Sequence, residues 1–211
     1  FDCVRPWDSD FRDCSSLPVS LNLMAEKPDG PEKLTNVVVL MSVPRIMFTD
    51  NVIPMMSAIQ QLGMPIIANT GAFWGQCLER IMEDVVRDMP QATHVLTCDY
   101  DSLFSVDQVK QLYRTATKID ADAIFPVQVK RQAAHAMLTI RQPDGTIRRG
   151  LTPEEVRAET IKVSTGHFGL TLLKTSAIKS LPKPWFKEVP APDGGWGDGH
   201  IDPDIWFWTQ W

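Results

Sequence analysis

Two aspartates separated by one residue, Asp99 and Asp101, directly follow an apolar segment at 93–98 that predicts a buried strand. Because side chains alternate along an extended chain, both carboxylates are expected on the same side. In open α/β sheets, ligands bind beyond the carboxyl ends of the strands. Carboxylate oxygens at such a position suit Mg²⁺ or Mn²⁺, which also bind phosphate oxygens and water. An acidic turn that caps the next helix is the alternative interpretation.

A second acidic pair, Asp202 and Asp204, lies between a glycine-rich segment at 193–199 and an aromatic segment at 205–208. Either aspartate could cap the helix that the aromatic segment predicts. Alternatively, one of them is a general base that removes the proton from a hydroxyl group. The neighbouring His200 is more typical of a surface residue than of a ligand.

Two further segments contain candidate substrate contacts. Glycine at position 166, next to His167, permits the close approach of a ligand or of another part of the chain, and a plain bend explains it equally well. Trp185, between Pro184 and Phe186, offers an aromatic face on which a sugar could stack. The alternative is that these rings belong to the core.

Strands and helices alternate through the first half of the chain. The apolar patterns predict strands at 37–43, 65–69, 93–98 and 122–129, and helices at 50–62, 73–86 and 106–118. This order predicts an α/β fold with a mostly parallel sheet covered on both faces. After residue 130 the patterns predict a hairpin at 137–149, a short helix after Thr152, and strands at 161–163 and 167–173.

Composition narrows the class of protein. The chain has 211 residues, of which 44% are hydrophobic and 22% charged, and this indicates a globular domain. A net charge of −5 without a basic face argues against nucleic-acid binding. No apolar run approaches the roughly 20 residues of a membrane span. Cys77 and Cys98 fall in a helix and a strand pattern, so we expect buried free thiols and a reducing, cytoplasmic location.

In their order and spacing these segments resemble the GT-A glycosyltransferases, in particular the family-2-like enzymes of bacteria and phages. The resemblance extends over about residues 37–211. It implies a Rossmann-type, mostly parallel sheet flanked by helices, with a smaller mixed acceptor-side region. Residues 1–35 would be an extension or linker, 36–130 the nucleotide-sugar half and 131–211 the acceptor half of one domain at 36–211.

The resemblance also implies a reaction. Asp99 and Asp101 would hold Mn²⁺ or Mg²⁺ and the donor diphosphate, and Arg80 and Pro44 would lie at the donor site. A sugar would pass from a UDP- or GDP-sugar to a hydroxyl of a carbohydrate or other acceptor, with inversion.

On the acceptor side, the resemblance makes Asp204 the acceptor-activating base, with Asp202 as its competitor. Substrate contacts are expected from Gly166, His167 and Trp185.

Two other functions stay open at this point. A sugar-nucleotide nucleotidyltransferase would need a glycine-rich, basic loop after the first strand, where this chain has only Arg45. A non-catalytic, glycosyltransferase-like binding module in a larger protein is the second alternative. Two departures from the family support this alternative. Pro203 stands where the family has Glu, and the His that often completes the family's metal site near the end of the domain is absent.

Overall fold

The computed structural model describes residues 2–4, 32–44, 46–129 and 136–211. The strands are β1 (Asp2–Val4), β2 (Val37–Val43), β3 (Ile66–Thr70), β4 (His94–Cys98), β5 (Ala123–Pro126), β6 (Thr139–Arg141), β7 (Ile147–Arg149), β8 (Thr160–Lys162) and β9 (Leu170–Lys174). The helices are α1 (Thr49–Leu62), α2 (Trp74–Asp88), α3 (Val106–Ile119), α4 (Pro153–Arg157), α5 (Thr175–Ser180) and α6 (Pro203–Gln210).

The predicted α/β class is confirmed, and the main sheet is mixed, with both parallel and antiparallel pairs of strands. The main sheet has the strand order β3-β2-β4-β9-β5-β1-β8. Strand β2 runs parallel to β3 and β4, and β1 runs parallel to β5. Strand β9 runs antiparallel to both β4 and β5, and β8 runs antiparallel to β1. The cause is β9, which enters between two strands that the βα pattern alone would place side by side.

Strand β1 lies in the main sheet, although it precedes the predicted domain in the chain. Residues 2–4 pair with β5 on one side and with β8 on the other, so this part of the predicted extension at 1–35 belongs to the sheet. Leu34 is buried as well, and its N–H donates to the carbonyl of Leu62. Positions 5–31 of the extension lie outside the described residues.

Several local predictions are confirmed because their signals are short-range. Gly63 ends α1 with a left-handed φ of 64°. Capping boxes begin α3 at Ser105 and α4 at Thr152. Strands β6 and β7 form the expected hairpin, with Gly145 at φ 85° in its turn. Two predicted strands are too long by three residues, since β5 stops at Pro126 rather than at 129 and β9 begins at Leu170 rather than at 167.

The sheet is covered on both faces, as predicted. Side chains of one face, such as Val95, pack with the buried faces of α2, α5 and α6. Side chains of the opposite face, such as Leu96, pack with α1 and α3. Cys77 and Cys98 are free and buried, as the sequence predicted for these two thiols. In the described part of the chain, no helix is both long and apolar enough to span a membrane.

The packing of α6 explains Gly166. A Cβ at this position would lie 2.1 Å from Cζ of the buried Phe125 ring. The Trp208 Nε1–H donates to the Gly166 carbonyl at 2.5 Å, which anchors α6 to the same segment. The Phe125 ring of the core therefore occupies the space that a side chain at position 166 would need. The close approach that this glycine permits is that of another part of the chain and not that of a ligand.

Trp185 is also a core residue, so its assignment as a sugar-stacking platform is wrong. Its side chain is only 3% exposed, and its indole N–H donates to the Leu181 carbonyl. The Glu79 carboxylate accepts hydrogen bonds from the backbone N–H groups of Trp185 and Phe186. These contacts leave no indole face for a ligand.

We predict that Gly166→Ala destabilises the fold by about 1–3 kcal/mol, because the added methyl group overpacks the Phe125 ring. Gly197→Ala is the matched control, since a Cβ there meets nothing within 4 Å. It should change the free energy of unfolding by less than about 0.5 kcal/mol. Urea denaturation of both variants measures the difference, and equal stability of the two would contradict the packing role.

Candidate functional site

A cavity of about 580 Å³ opens at the carboxyl ends of β4 and β5. It is lined by residues from the segments 99–104, 126–129 and 167–170, together with Gln108 and Met137. Asp99 and Asp101 both line it, so the structure brings the two predicted metal ligands to the edge of the sheet where α/β proteins bind ligands.

The segment before β9 holds the aspartate loop in place. The Asp99 N–H donates to the Gly169 carbonyl at 3.2 Å, and the Ser102 hydroxyl donates to the same oxygen at 2.7 Å. From the other side, the Asn51 side chain donates to the Asp101 carbonyl at 2.7 Å. The loop that carries both carboxylates is therefore tied to α1 and to the start of β9.

Gly169, Ser102 and Asn51 are site residues that the sequence did not reveal. A Cβ at Gly169 would lie 2.7 Å from Gln128 Oε1 and 2.7 Å from His167 Cε1. The second glycine of the segment 165–169 was the available signal, since glycine in a strand often marks a close approach. Ser102 and Asn51 act through side chains whose partners are distant in the chain, and no local pattern identifies them.

Asp99 is an unusual carboxylate. Its pKa is raised to about 6, mainly by burial and also by the charges of Asp101 and Asp204, whereas the Trp74 hydrogen bond lowers it. That bond runs from the Trp74 Nε1–H to Asp99 Oδ1 at 3.3 Å. At neutral pH this carboxyl group is still mostly ionised, but burial makes its charged form less stable than that of an ordinary aspartate.

Asp204 approaches this carboxylate from a different element. The start of helix α6 lies close to α2. A Cβ added at Gly75 of α2 would lie only 3.1 Å from Cβ of Pro203, the first residue of α6. Asp204 is half-buried, its Oδ1 accepts from the Ile205 N–H at 2.8 Å, and burial raises its pKa. Its charge also acts on Asp99. The structure thus brings the second predicted acidic residue towards the first pair, although Asp204 does not line the cavity.

Asp202 differs from Asp204 in its exposure and in the side chain that it contacts. It is exposed and lies 3.0 Å from Nε2 of His200. It occupies the N-cap position of α6, but its side chain makes no capping hydrogen bond. Between the two aspartates, only Asp204 has the burial and the proximity to Asp99 that a site residue needs.

His167 lines the cavity as a neutral imidazole. Its Nδ1 accepts a hydrogen bond from the Gly169 N–H at 3.0 Å, so the proton of the neutral ring is on Nε2. Burial lowers its pKa to about 4, against a smaller opposing effect of the Asp101 charge. At neutral pH His167 is therefore a hydrogen-bond donor beside Asp101, and this tautomer has no free lone pair on Nε2 for a metal.

The remaining predicted donor contacts lie away from the cavity. Arg80 is exposed on α2 and Pro44 is half-buried just after β2. Neither lines the cavity, and neither do Gly166 and Trp185, which are core residues. Arg45, the basic residue after Pro44, falls outside the described residues.

The side chains of the site supply only some of the ligands that a hard divalent cation needs. Within the described ranges, no group of three or more His, Cys, Asp or Glu side chains is arranged to hold a metal ion. The protein itself offers the two carboxylates Asp99 and Asp101. Mg²⁺ is commonly bound in this manner, through one or two carboxylates, with substrate phosphates and water as the other ligands.

Comparison with known proteins gives a likeness of fold. No protein-family model matches the sequence, and no curated protein matches it. The crystal structure of A197 from STIV is similar, with a TM-score of 0.54 and 11% sequence identity. The match covers 82% of this chain and 75% of that chain. At this identity the likeness concerns the fold alone, and the residues of the site must carry any functional argument.

We predict that His167 stays neutral down to about pH 5 and titrates near pH 4, because protonation would place a charge in a buried position. His200 is an internal control, since the Gly197 carbonyl and Asp202 raise its pKa. NMR titration of the imidazole signals, assigned with His167→Gln, measures both. An ordinary midpoint of about 6.5 for His167 would contradict its burial.

The lowered pKa of His167 also predicts how the stability of the fold changes with pH. The folded-state pKa of His167 lies below the unfolded value of about 6.5. Between these two pH values the unfolded chain binds more protons at this position than the folded chain does. The free energy of unfolding therefore decreases as the pH falls from about 6.5 to 4.

Proposed function

We propose that this protein is a metal-dependent glycosyltransferase that moves a sugar from a nucleotide-sugar donor to an acceptor hydroxyl with inversion. The observation that carries the proposal is the pair Asp99 and Asp101 beyond the carboxyl end of β4, where both line the cavity and where the charge of Asp204 also acts on Asp99. The first two carboxylates follow one strand, whereas the third begins a helix at the other end of the chain. Like charges are rarely gathered in a half-buried site without a function for them.

Asp99 and Asp101 are the proposed ligands of Mn²⁺ or Mg²⁺. A bound cation would supply charge neutralisation for the diphosphate of a UDP- or GDP-sugar. The protein's own contribution is to hold the two carboxylates in position through Gly169, Ser102 and Asn51. The raised pKa of Asp99 also fits this role, because a bound cation would stabilise the ionised form that burial disfavours.

Asp204 is the proposed general base. It is close enough to Asp99 for its charge to act on that residue, and it comes from a separate helix, so it is not tied to the loop that carries the proposed metal ligands. A raised pKa makes a carboxylate a better proton acceptor near neutral pH. Support from the sequence is the match of Asp204 to the base position of the GT-A enzymes that this chain resembles.

We expect nucleoside-diphosphate binding to require a divalent cation and to weaken below about pH 6. The metal must displace the Asp99 proton in that range, which costs up to about tenfold in affinity per pH unit. Calorimetry with UDP and GDP measures this, with Mn²⁺ or EDTA, at pH 7.5 and 5.5.

Asp101→Asn should weaken the cation-dependent binding, whereas Asp107→Asn is the matched control. Asp107 is an exposed aspartate in the first turn of α3 that does not line the cavity. Equal nucleotide affinity with Mn²⁺ and with EDTA would remove the metal from the proposal.

We predict that Asp204→Asn abolishes transfer while nucleotide and metal binding persist. Loss of a well-placed general base typically lowers the rate by about 10²- to 10⁴-fold. Release of nucleoside diphosphate from a panel of nucleotide sugars is the measurement. Asp202→Asn, two residues away and exposed, should keep near-normal turnover.

The reverse pattern, with only Asp202→Asn inactive, would move the base to the other carboxylate. A parent protein that binds nucleotide sugars and never turns them over would favour a non-catalytic binding module instead.

A further inference from the structure

The side chain of Trp74, the first residue of α2, reaches the carboxylate at the start of the aspartate loop. Its Nε1–H donates to Asp99 Oδ1 at 3.3 Å. The backbone of Asp99 is held separately, since its N–H donates to the Gly169 carbonyl. The carboxylate of an aspartate turns easily about its last torsion, because that torsion has a broad distribution. The indole therefore fixes an orientation that the backbone contact alone would leave open.

Trp74 is itself held by the aromatic core. Its ring meets the rings of Phe168 and Phe186 edge-on, in each case with 5.4 Å between the centroids. Both phenylalanines are buried. A Cβ added at the next residue, Gly75, would lie 3.0 Å from Cβ of Phe186, so the start of α2 packs closely on this core. A donor whose ring is locked by packing can orient the group that accepts its hydrogen bond.

The same core reaches the helix that carries Asp204. Phe186 stacks on Phe207 of α6, with 5.1 Å between the ring centroids and 19° between the ring planes. Phe207 follows Asp204 by three residues, which is about one turn of a helix. Trp74 therefore connects the side chain of Asp99 to the packing of α6.

We infer that Trp74 is a positioning residue of the cation site, whose indole holds Oδ1 of Asp99 and leaves Oδ2 for a divalent cation. The inference rests on the proposed function, because Asp99 is taken as a metal ligand. Hydrogen bonds to the ligands of a metal orient those ligands, and their loss typically lowers metal affinity by about 10- to 100-fold. A tryptophan that served packing alone would have no such effect.

The test is Trp74→Phe, which removes the indole N–H and retains an aromatic ring. Mn²⁺ alone is the probe, and the whole chain is used. EPR spectroscopy of the free ion measures the affinity, since Mn²⁺ bound to protein gives a much weaker signal. Trp74→Phe should weaken Mn²⁺ binding by about 10- to 100-fold. An affinity equal to that of the parent would overturn the inference.

Trp185→Phe is the matched control. Trp185 belongs to the same core, and its indole N–H donates to the Leu181 carbonyl, also at 3.3 Å. Each variant thus loses one indole hydrogen bond, and urea denaturation should show a similar decrease in the free energy of unfolding for both. Mn²⁺ affinity should fall in Trp74→Phe alone. Equal losses of affinity in the two variants would show a general effect of the core and would overturn the inference.

Indole NMR signals of the parent protein give a second readout that does not depend on how a variant folds. The two variants assign the signals of Trp74 and Trp185, because each variant lacks one of them. Paramagnetic Mn²⁺ broadens the signals of nearby protons, so a small amount should broaden the Trp74 signal before that of Trp185. Mg²⁺, which is diamagnetic, is the control and should broaden neither. Broadening by Mn²⁺ of the Trp185 signal first, or of neither signal, would contradict the assignment of Trp74 to the cation site.

The positioning role and the transferase proposal can fail separately. Mn²⁺ binding that depends on Trp74, without release of nucleoside diphosphate from any nucleotide sugar, would support the positioning role while the transferase proposal fails. Metal-dependent turnover, together with an unchanged Mn²⁺ affinity of Trp74→Phe, would do the opposite.

Discussion

The pairing of β9 between β4 and β5 is the contact on which the site depends. Its register places Leu170 opposite Cys98, so the residues before β9 come directly beside the aspartate loop after β4. The Gly169 carbonyl then accepts two hydrogen bonds from that loop, and the Gly169 N–H sets the tautomer of His167. One antiparallel strand thus positions a carboxylate pair and an imidazole at the same edge.

Strand β9 also shows which features of the fold the sequence predicts and which it does not. The strand at 93–98, its terminal aspartates and the helices α1 to α3 follow from periodicity and capping, which are local signals. Direction and neighbours of a strand depend on residues far away, and an apolar segment such as Leu170–Lys174 fits a parallel or an antiparallel position equally well. Gly166 and Gly169 show the same limit, because the reason for each glycine is a side chain distant in sequence, Phe125 and Gln128.

Electrostatics and packing oppose each other at this edge. Burial and the neighbouring charges of Asp101 and Asp204 both disfavour the ionised form of Asp99, and the Trp74 indole offers one compensating hydrogen bond. Trp74 itself packs edge-on against Phe168 and Phe186. The aromatic core therefore keeps Asp99 in a position that is unfavourable for an isolated carboxylate. Asp99 and Asp204 are therefore electrostatically coupled, because the charge of Asp204 adds to the effect of burial on the pKa of Asp99.

The two sides of Asp99 differ in chemistry, and this difference argues for separate binding regions. Towards α2 and α6 lie an indole donor and a second carboxylate, which suit proton transfer and hydrogen bonding. Towards the cavity lie exposed apolar side chains that folding does not require, since residues such as Leu103 remain largely in water. Exposed apolar surface has a hydration cost that a folded chain recovers only when something covers it. Asp99 lies at the point where these two environments meet.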